Sequence, residues 1–288
     1  MAKAKRDVYQ EVTNTIIAQL EAGTAPWQKS WSGNGGGFPQ RVTGQDYRGI
    51  NVLLLAMQGR SHPTWMTYKQ AEALGGQVRK GEKSTAIVFF KPLKIERDNG
   101  DVDTIPLIRS YNVFNVEQID GLPAKFDLEP VDPQNTEDRI EAADAYIKAT
   151  DADISHGGDR AHYRPSTDSI QLPEFDAFDD AVSYYGTAAH ELVHWTGDEK
   201  RCDRDLKNTN GTKDYAREEL VAELGAAFIM GKLGLENTPR DDHAQYLASW
   251  LKVLKEDNRA IFKASTAAQK AVDFLNAFSE TPEMEIAA

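Results

Sequence analysis

Apolar residues recur at helical spacing from Val8 to Glu21, where Val8, Val12, Ile16, Ile17 and Leu20 line one face and Gly23 and Pro26 close the segment. A second helical stretch is expected from Gly49 to Met57 and a third from Thr67 to Leu74. The pattern then changes. Ala86 to Phe90 is a run of β-branched and aromatic residues, Asp98-Asn99-Gly100-Asp101 has the residues of a tight hairpin turn, and Leu107 to Val116 reads as a second strand. The front of the chain is therefore expected to be α+β and to end near Leu122.

Residues 124–138, rich in Pro, Asp, Glu and Asn, read as a linker. A helix from Glu137 to Thr150 opens the back of the chain. Two short strands follow, Ala161 to Arg164 and Asp168 to Leu172. Helices are expected over Ala177 to Thr196, Ala216 to Leu233, Arg240 to Glu256 and Arg259 to Leu275. The expected architecture is α+β in two domains, 1–123 and 139–288 joined by 124–138, the second with a helical core and a small sheet.

Composition is that of a globular protein, 40% hydrophobic and 27% charged. There is no run of roughly 18 apolar residues, so no spanning helix and no membrane partner are expected. The N-terminus has basic residues without the apolar stretch of a secretory signal. A single cysteine, Cys202, excludes an internal disulfide and fits a reducing cytoplasm. It is read as structural or incidental rather than as a metal ligand, and a monomer is expected. The glycine-rich stretch from Gly33 to Gly37 lacks the Lys-Ser/Thr of a phosphate-binding loop.

Net charge is −12, which taken alone argues against nucleic acid. The average hides an asymmetry. Residues 1–97 contain 14 Lys+Arg against 7 Asp+Glu, and the remaining residues 19 against 38. A basic front and an acidic back point to different partners. The front also interleaves rings with cations: Trp27, Trp31, Tyr47, Arg48, Trp65, Tyr68, Lys69, Arg79, Lys80 and Lys83. Single-stranded nucleic acid calls for that combination, because rings stack on bases and cations follow the phosphates.

The back has the sharper chemistry. Residues 190–194 read His-Glu-Leu-Val-His. Four residues apart on a helix, His190 and His194 share a face and can grip one zinc ion, and Glu191 can act as the base toward a water on that metal. A catalytic zinc needs a third protein ligand. Glu219 and Glu223, also four apart on a helical face, supply candidates, with Glu219 as ligand and Glu223 as the outer carboxylate that holds an imidazole N–H. Manganese or cobalt could replace zinc on such a donor set. Tyr163, Arg164 and Tyr215 are candidates for stabilising an oxyanion.

The pair of motifs resembles the gluzincin zinc peptidases. In that group H-E-x-x-H on one helix is followed by E-x-x-[A/S]-[D/N] on a later one, whose first acid binds the metal. Here Glu219-Leu220-Val221-Ala222-Glu223 has Glu at the last position, and that longer side chain leaves a swap of roles between Glu219 and Glu223 open.

Over nearly its full length the chain also resembles the ArdC-type plasmid antirestriction proteins. The front motifs are Pro26-Trp27, Gly44 with Tyr47-Arg48-Gly49-Ile50-Asn51, Trp65 with Thr67, Lys80-Gly81-Glu82-Lys83 and Val88-Phe89-Phe90. Those of the back are Tyr163-Arg164-Pro165, Asp168 with Ile170 and Leu172-Pro173, His190 to Gly197 and Glu218 to Glu223. The resemblance implies a front domain that binds single-stranded DNA, and possible contact with double-stranded DNA is kept beside it. It implies a zincin-like back domain and protection of incoming plasmid DNA from host restriction during conjugation, with a host restriction-system protein as a candidate substrate. Two other readings stand beside this one. The chain could mask DNA and hold a purely structural metal, or it could be a metallopeptidase whose front recognises a protein.

Overall fold

The computed structural model describes residues 7–28, 37–96, 102–127, 135–206, 212–236 and 243–279. The front half contains helices α1 (Val8–Glu21), α2 (Ile50–Ala56) and α3 (Tyr68–Ala73), with strands β1 (Gln40–Arg41), β2 (Thr64–Met66), β3 (Gln77–Val78), β4 (Thr85–Glu96), β5 (Val102–Asn115) and β6 (Ile119–Asp120). The back half has helix α4 (Asn135–Lys148), strands β7 (Asp153–His156), β8 (His162–Arg164) and β9 (Ser169–Leu172), then helices α5 (Ala181–Trp195), α6 (Lys213–Lys232), α7 (His243–Glu256) and α8 (Ala260–Ser279). The chain is α+β throughout, as its pattern predicts.

Local signals place the helix starts. Asp7 accepts the Gln10 amide at the head of α1, and Thr67 and Gln70 form a reciprocal capping box on α3. Asp180 and Thr212 cap α5 and α6. The front strands run longer than expected: β4 pairs antiparallel with β5 along its whole length, from Thr85 opposite Val113 to Glu96 opposite Val102, and the end of β5 pairs with β2. Each strand satisfies the other's backbone well beyond the apolar run that marks it in the sequence. The sheet order is β1-β2-β5-β4, with β3-β6 as a separate pair. The hairpin turn expected at Asp98 to Asp101, and part of the expected linker, lie outside the described residues. The start of that linker forms a short 3-10 turn, Ala124–Phe126, and its end is already helical in α4.

The core does not divide where the composition does. One apolar cluster runs from Val12, Ile16 and Leu20 of α1 and Leu53 of α2 to Leu192 of α5, Leu220 of α6, Trp250 of α7 and Ile261 of α8. Thr13 donates to the Asn258 carbonyl at 2.8 Å, and the Gly49 amide to Gln269 at 2.9 Å. The front half also has a small core of its own around Met66, Val78, Ile119 and Phe126. Among the described residues no helix is long and apolar enough to cross a membrane.

One contact sets how closely α5 and α6 approach. A Cβ on Gly225 would lie 2.6 Å from Cγ2 and 2.9 Å from Cγ1 of Val193. Val193 is β-branched and stiff about χ1, and it is fully buried, so it cannot swing aside. Gly225→Ala is expected to cost about 1–3 kcal/mol in denaturant unfolding, the usual range for overpacking. An unchanged midpoint would mean that the two helices can separate without penalty.

Candidate metal centre

α5 is buried almost all round, because it packs between α6, α4 and the three-stranded sheet β7-β9-β8. That explains its charge-free first three turns, from Ala181 to Ala189. Its polar residues follow and converge with those of α6. His190 and His194 lie on one face with Nε2 atoms 3.1 Å apart, and each Nε2 is 3.5 Å from an oxygen of Glu219. Adjacent ligands on a tetrahedral zinc with bonds of ~2.0–2.1 Å are about 3.3 Å apart, so the three donors have the spacing of one face of such a site. The three ligand atoms lie within 4.8 Å of one another.

The local field also favours a cation. Burial pushes the His194 imidazolium down, but hydrogen bonds and charge from Glu218 and Glu219 outweigh it and hold the group up at about 10. Burial pushes the Glu219 carboxyl up, and His190 and His194 together pull it well below the usual carboxylate range. Glu219 therefore keeps its charge in a dry setting, whereas His194 has to release its proton before its Nε2 can hold a metal.

Each imidazole has its own outer carboxylate. His194 Nδ1 lies 3.1 Å from Glu218 Oε1. Arg204 grips Glu218 through Nε at 3.0 Å and Nη2 at 2.9 Å, and also donates to the Val193 carbonyl and Thr196 hydroxyl. His190 Nδ1 is 3.6 Å from Glu223 Oε1, and the indole N–H of Trp27 donates to Glu223 Oε2 at 3.3 Å. The geometry thus brings Glu219, not Glu223, against both Nε2 atoms. Sequence reasoning missed Glu218 and Arg204. A sequence signal existed for Glu218, its adjacency to Glu219, but none existed for Arg204. Glu218→Gln is expected to weaken divalent-metal binding about 10- to 100-fold in calorimetric titration, and unchanged affinity would show that His194 needs no such anchor.

Glu191 is 3% exposed and accepts the Tyr163 backbone N–H at 2.8 Å. That N–H lies on the free edge of β8, away from its partner β9. The Tyr163 hydroxyl turns elsewhere, to Asp168 at 2.9 Å and Arg201 at 3.3 Å, and Arg164 pairs with His162 at 3.1 Å. Neither is aimed at the donors, because each is held by another partner, Tyr163 by Asp168 and Arg201 and Arg164 by His162. Tyr215 is the remaining candidate. It lines a cleft of about 310 Å³ with His190, Glu191, His194, Glu219, Tyr246 and Tyr163. Its hydroxyl is 3.2 Å from that of Tyr246, and burial together with Tyr246 and Glu219 keeps the phenol protonated. Cys202 stands apart from the three donors and lines a separate hollow of about 470 Å³ with Tyr9, Phe90 and Phe262.

The front candidates divide. Trp27, Tyr47 and Trp65 are 0%, 5% and 2% exposed, so no base can reach their faces. They are core residues, since burying a large ring contributes more to folding than leaving it in water. Trp31 lies outside the described residues. Arg48 is paired with Asp273, and Arg79 is tied to Glu82, Asp120 and the Glu117 carbonyl. Tyr68, Lys69, Lys80 and Lys83 are exposed. Sequence reasoning missed the aromatics that do face solvent on the β4–β5 sheet, Phe89 and Tyr111, whose ring centroids are 6.2 Å apart. Exposed Arg109 lies opposite Phe89 in register. The available signal was the alternation of β4, which puts Phe89 on the face opposite buried Val88.

Comparison with known proteins adds the following. Residues 6–114 match the model of the N-terminal domain of anti-restriction factor ArdC, and residues 141–267 that of a zincin-like metallopeptidase. The chain is 43% identical to the DNA primase TraC of Escherichia coli over 97% of its own length, but it spans only 28% of that relative. It is similar to the crystal structure of the antirestriction ArdC protein from the R388 plasmid in its metal-free form, with a TM-score of 0.80 and 43% identity over 95% of this chain and 98% of that one. The Mn(II)-bound form of the same protein matches at 0.79 over 96% of this chain and 100% of that one, again at 43% identity.

Proposed function

Because the chain belongs to the ArdC antirestriction family, with a zincin-like region behind its ArdC-type front, we propose that it binds DNA and acts as a divalent-metal peptidase that protects incoming plasmid DNA from restriction. The observation that carries the peptidase reading is the meeting of His190, His194 and Glu219 beside Glu191 at the floor of a cleft. The three converging residues would be the ligands. Zinc suits two imidazoles and a carboxylate, and the manganese in the R388 relative favours keeping that metal as a candidate. Bound there, either metal would acidify water and polarise a carbonyl.

The chain's own groups do the rest. Glu191, aimed by the Tyr163 amide, takes the proton of the attacking water and returns it to the leaving amine. Tyr215 stays protonated and donates to the carbonyl oxygen as it gains charge. The free edge of β8 offers main-chain groups to an extended peptide, although the Tyr163 N–H there is already committed to Glu191. A host restriction-system protein is the substrate class we favour, cut in the cytoplasm by a monomer. Residues 1–123 and 139–288 are kept as the functional division even though they share a core.

For the front we propose single-stranded DNA as the ligand, as plasmid DNA is in transfer. The stacking surface passes from the buried rings to Phe89 and Tyr111, with Tyr68 as a further exposed ring and Arg109, Lys69, Lys80 and Lys83 toward phosphate. Two experiments test the two halves. Incubation of the metal-loaded chain with restriction subunits should yield defined cleavage products, and an intact panel would leave only the DNA-masking reading. Fluorescence titration with a short single strand should give an affinity that falls steeply with salt and drops about 10-fold in Phe89→Ala. Salt-independent binding, or an unaffected variant, would sink the assignment of that face.

A further inference from the structure

One residue of the front half, Trp27, reaches a carboxylate beside the centre. It belongs to the front half, 196 positions from Glu223 in sequence, and is wholly buried. Its ring meets Trp250 of α7 edge-on with centroids 5.4 Å apart, and the short 3-10 turn that contains it packs on α6. Its indole N–H has one direction to point and meets Glu223 Oε2 at 3.3 Å. The other oxygen of that carboxylate is then the one turned to His190 Nδ1, at 3.6 Å. That nitrogen is fully buried, has no hydrogen-bond partner and has Glu223 as its nearest carboxylate.

We propose that Trp27 is a positioning residue of the metal centre, and that the front half thereby completes a site whose ligands all come from the back half. This rests on the reading of His190, His194 and Glu219 as a metal site. His190 can present Nε2 to a cation only as the tautomer with hydrogen on Nδ1, and that hydrogen needs a fixed acceptor. Glu223 can provide one only if its carboxylate is held, and a buried carboxylate is held by donors. Trp27 is a rigid donor, fixed by the shared core, where its turn packs on α6 and its ring on Trp250. The 3.6 Å separation is longer than a hydrogen bond, and ligation of His190 would draw the pair together.

The test is titration calorimetry of Mn²⁺ and Zn²⁺ into the full chain, wild type, Trp27→Phe, Glu223→Gln and the double variant. Phe keeps most of the ring and removes the N–H. Trp27→Phe should weaken binding about 10-fold, and Glu223→Gln about 10- to 100-fold. The double variant should bind no more weakly than Glu223→Gln alone, because Trp27 acts only through that carboxylate. Unchanged affinity in Trp27→Phe, or losses that add in the double variant, would reduce Trp27 to packing. If Trp27→Phe does not fold, the wild-type ¹⁵N spectrum decides: metal addition should shift the Trp27 indole resonance, and an unmoved resonance overturns the proposal. A wild type that takes up neither metal would instead remove the underlying site reading.

Discussion

Glu191→Gln is expected to lower hydrolysis about 10²- to 10⁴-fold, the range for loss of a general base. The substitution is chosen for what it preserves. Glu191 is buried, and the contact that orients it is donated by the Tyr163 amide, which a glutamine carbonyl can accept equally well. Its neighbours His190 and His194 need not move, so metal affinity and unfolding midpoint should stay close to wild type. Only the ability to take a proton is removed. The measurement is the rate of cleavage of an unfolded protein such as casein, alongside calorimetric metal binding on the same preparation. A variant that binds metal and cleaves as fast as wild type would show that Glu191 is not the base. A variant that loses both would show that its effect is on the site's structure and not on chemistry.

The second large effect separates the two carboxylates of α6. Glu219→Ala is expected to weaken metal binding by more than the ~10- to 100-fold range for outer-shell residues, and Glu223→Ala to stay within it. The reason is geometric. Glu219 reaches both Nε2 atoms at 3.5 Å, whereas Glu223 approaches the far nitrogen of His190. Thermal unfolding gives an independent readout. A metal at ~100 times its Kd stabilises the folded chain by about 2.7 kcal/mol, which is about 4–5 °C for a protein of this size. Wild type should show that rise, Glu223→Ala part of it and Glu219→Ala none. The opposite order would restore the swapped roles that the sequence leaves open.

How much of the site could be read before folding depends on the range of the information. His190 and His194 are legible because one helix, with its 3.6-residue period, sets their relation. The same holds for Glu219 with Glu223. The choice between those two acids is not legible, because it depends on where α6 lies against α5, and that is set by Gly225 on Val193. Glu218 points to His194 for the same reason. Arg204 reaches Glu218 only because the chain beyond Gly197 folds back against α5, where the Arg204 amide donates to the Gly197 carbonyl.

The front is the reverse case. Rings interleaved with cations describe an exposed stacking surface and a buried core equally well, since local sequence does not encode which side a partner helix covers. Trp27, Tyr47 and Trp65 are core because they belong to the apolar cluster that joins the two halves, and that closure runs through contacts more than 190 residues apart, such as Trp27 with Glu223. Phe89 and Tyr111 are outside because the register of β4 on β5 puts them on the face away from buried Val88. By itself, the sequence determined what near neighbours decide: the helices and their caps, the two imidazoles on one face, the α+β class and the charge asymmetry. Tertiary structure alone decided which carboxylate meets the imidazoles, which rings face water, and that Trp27 of the front half reaches Glu223 beside His190. Those outcomes depend on packing between segments that no local period connects.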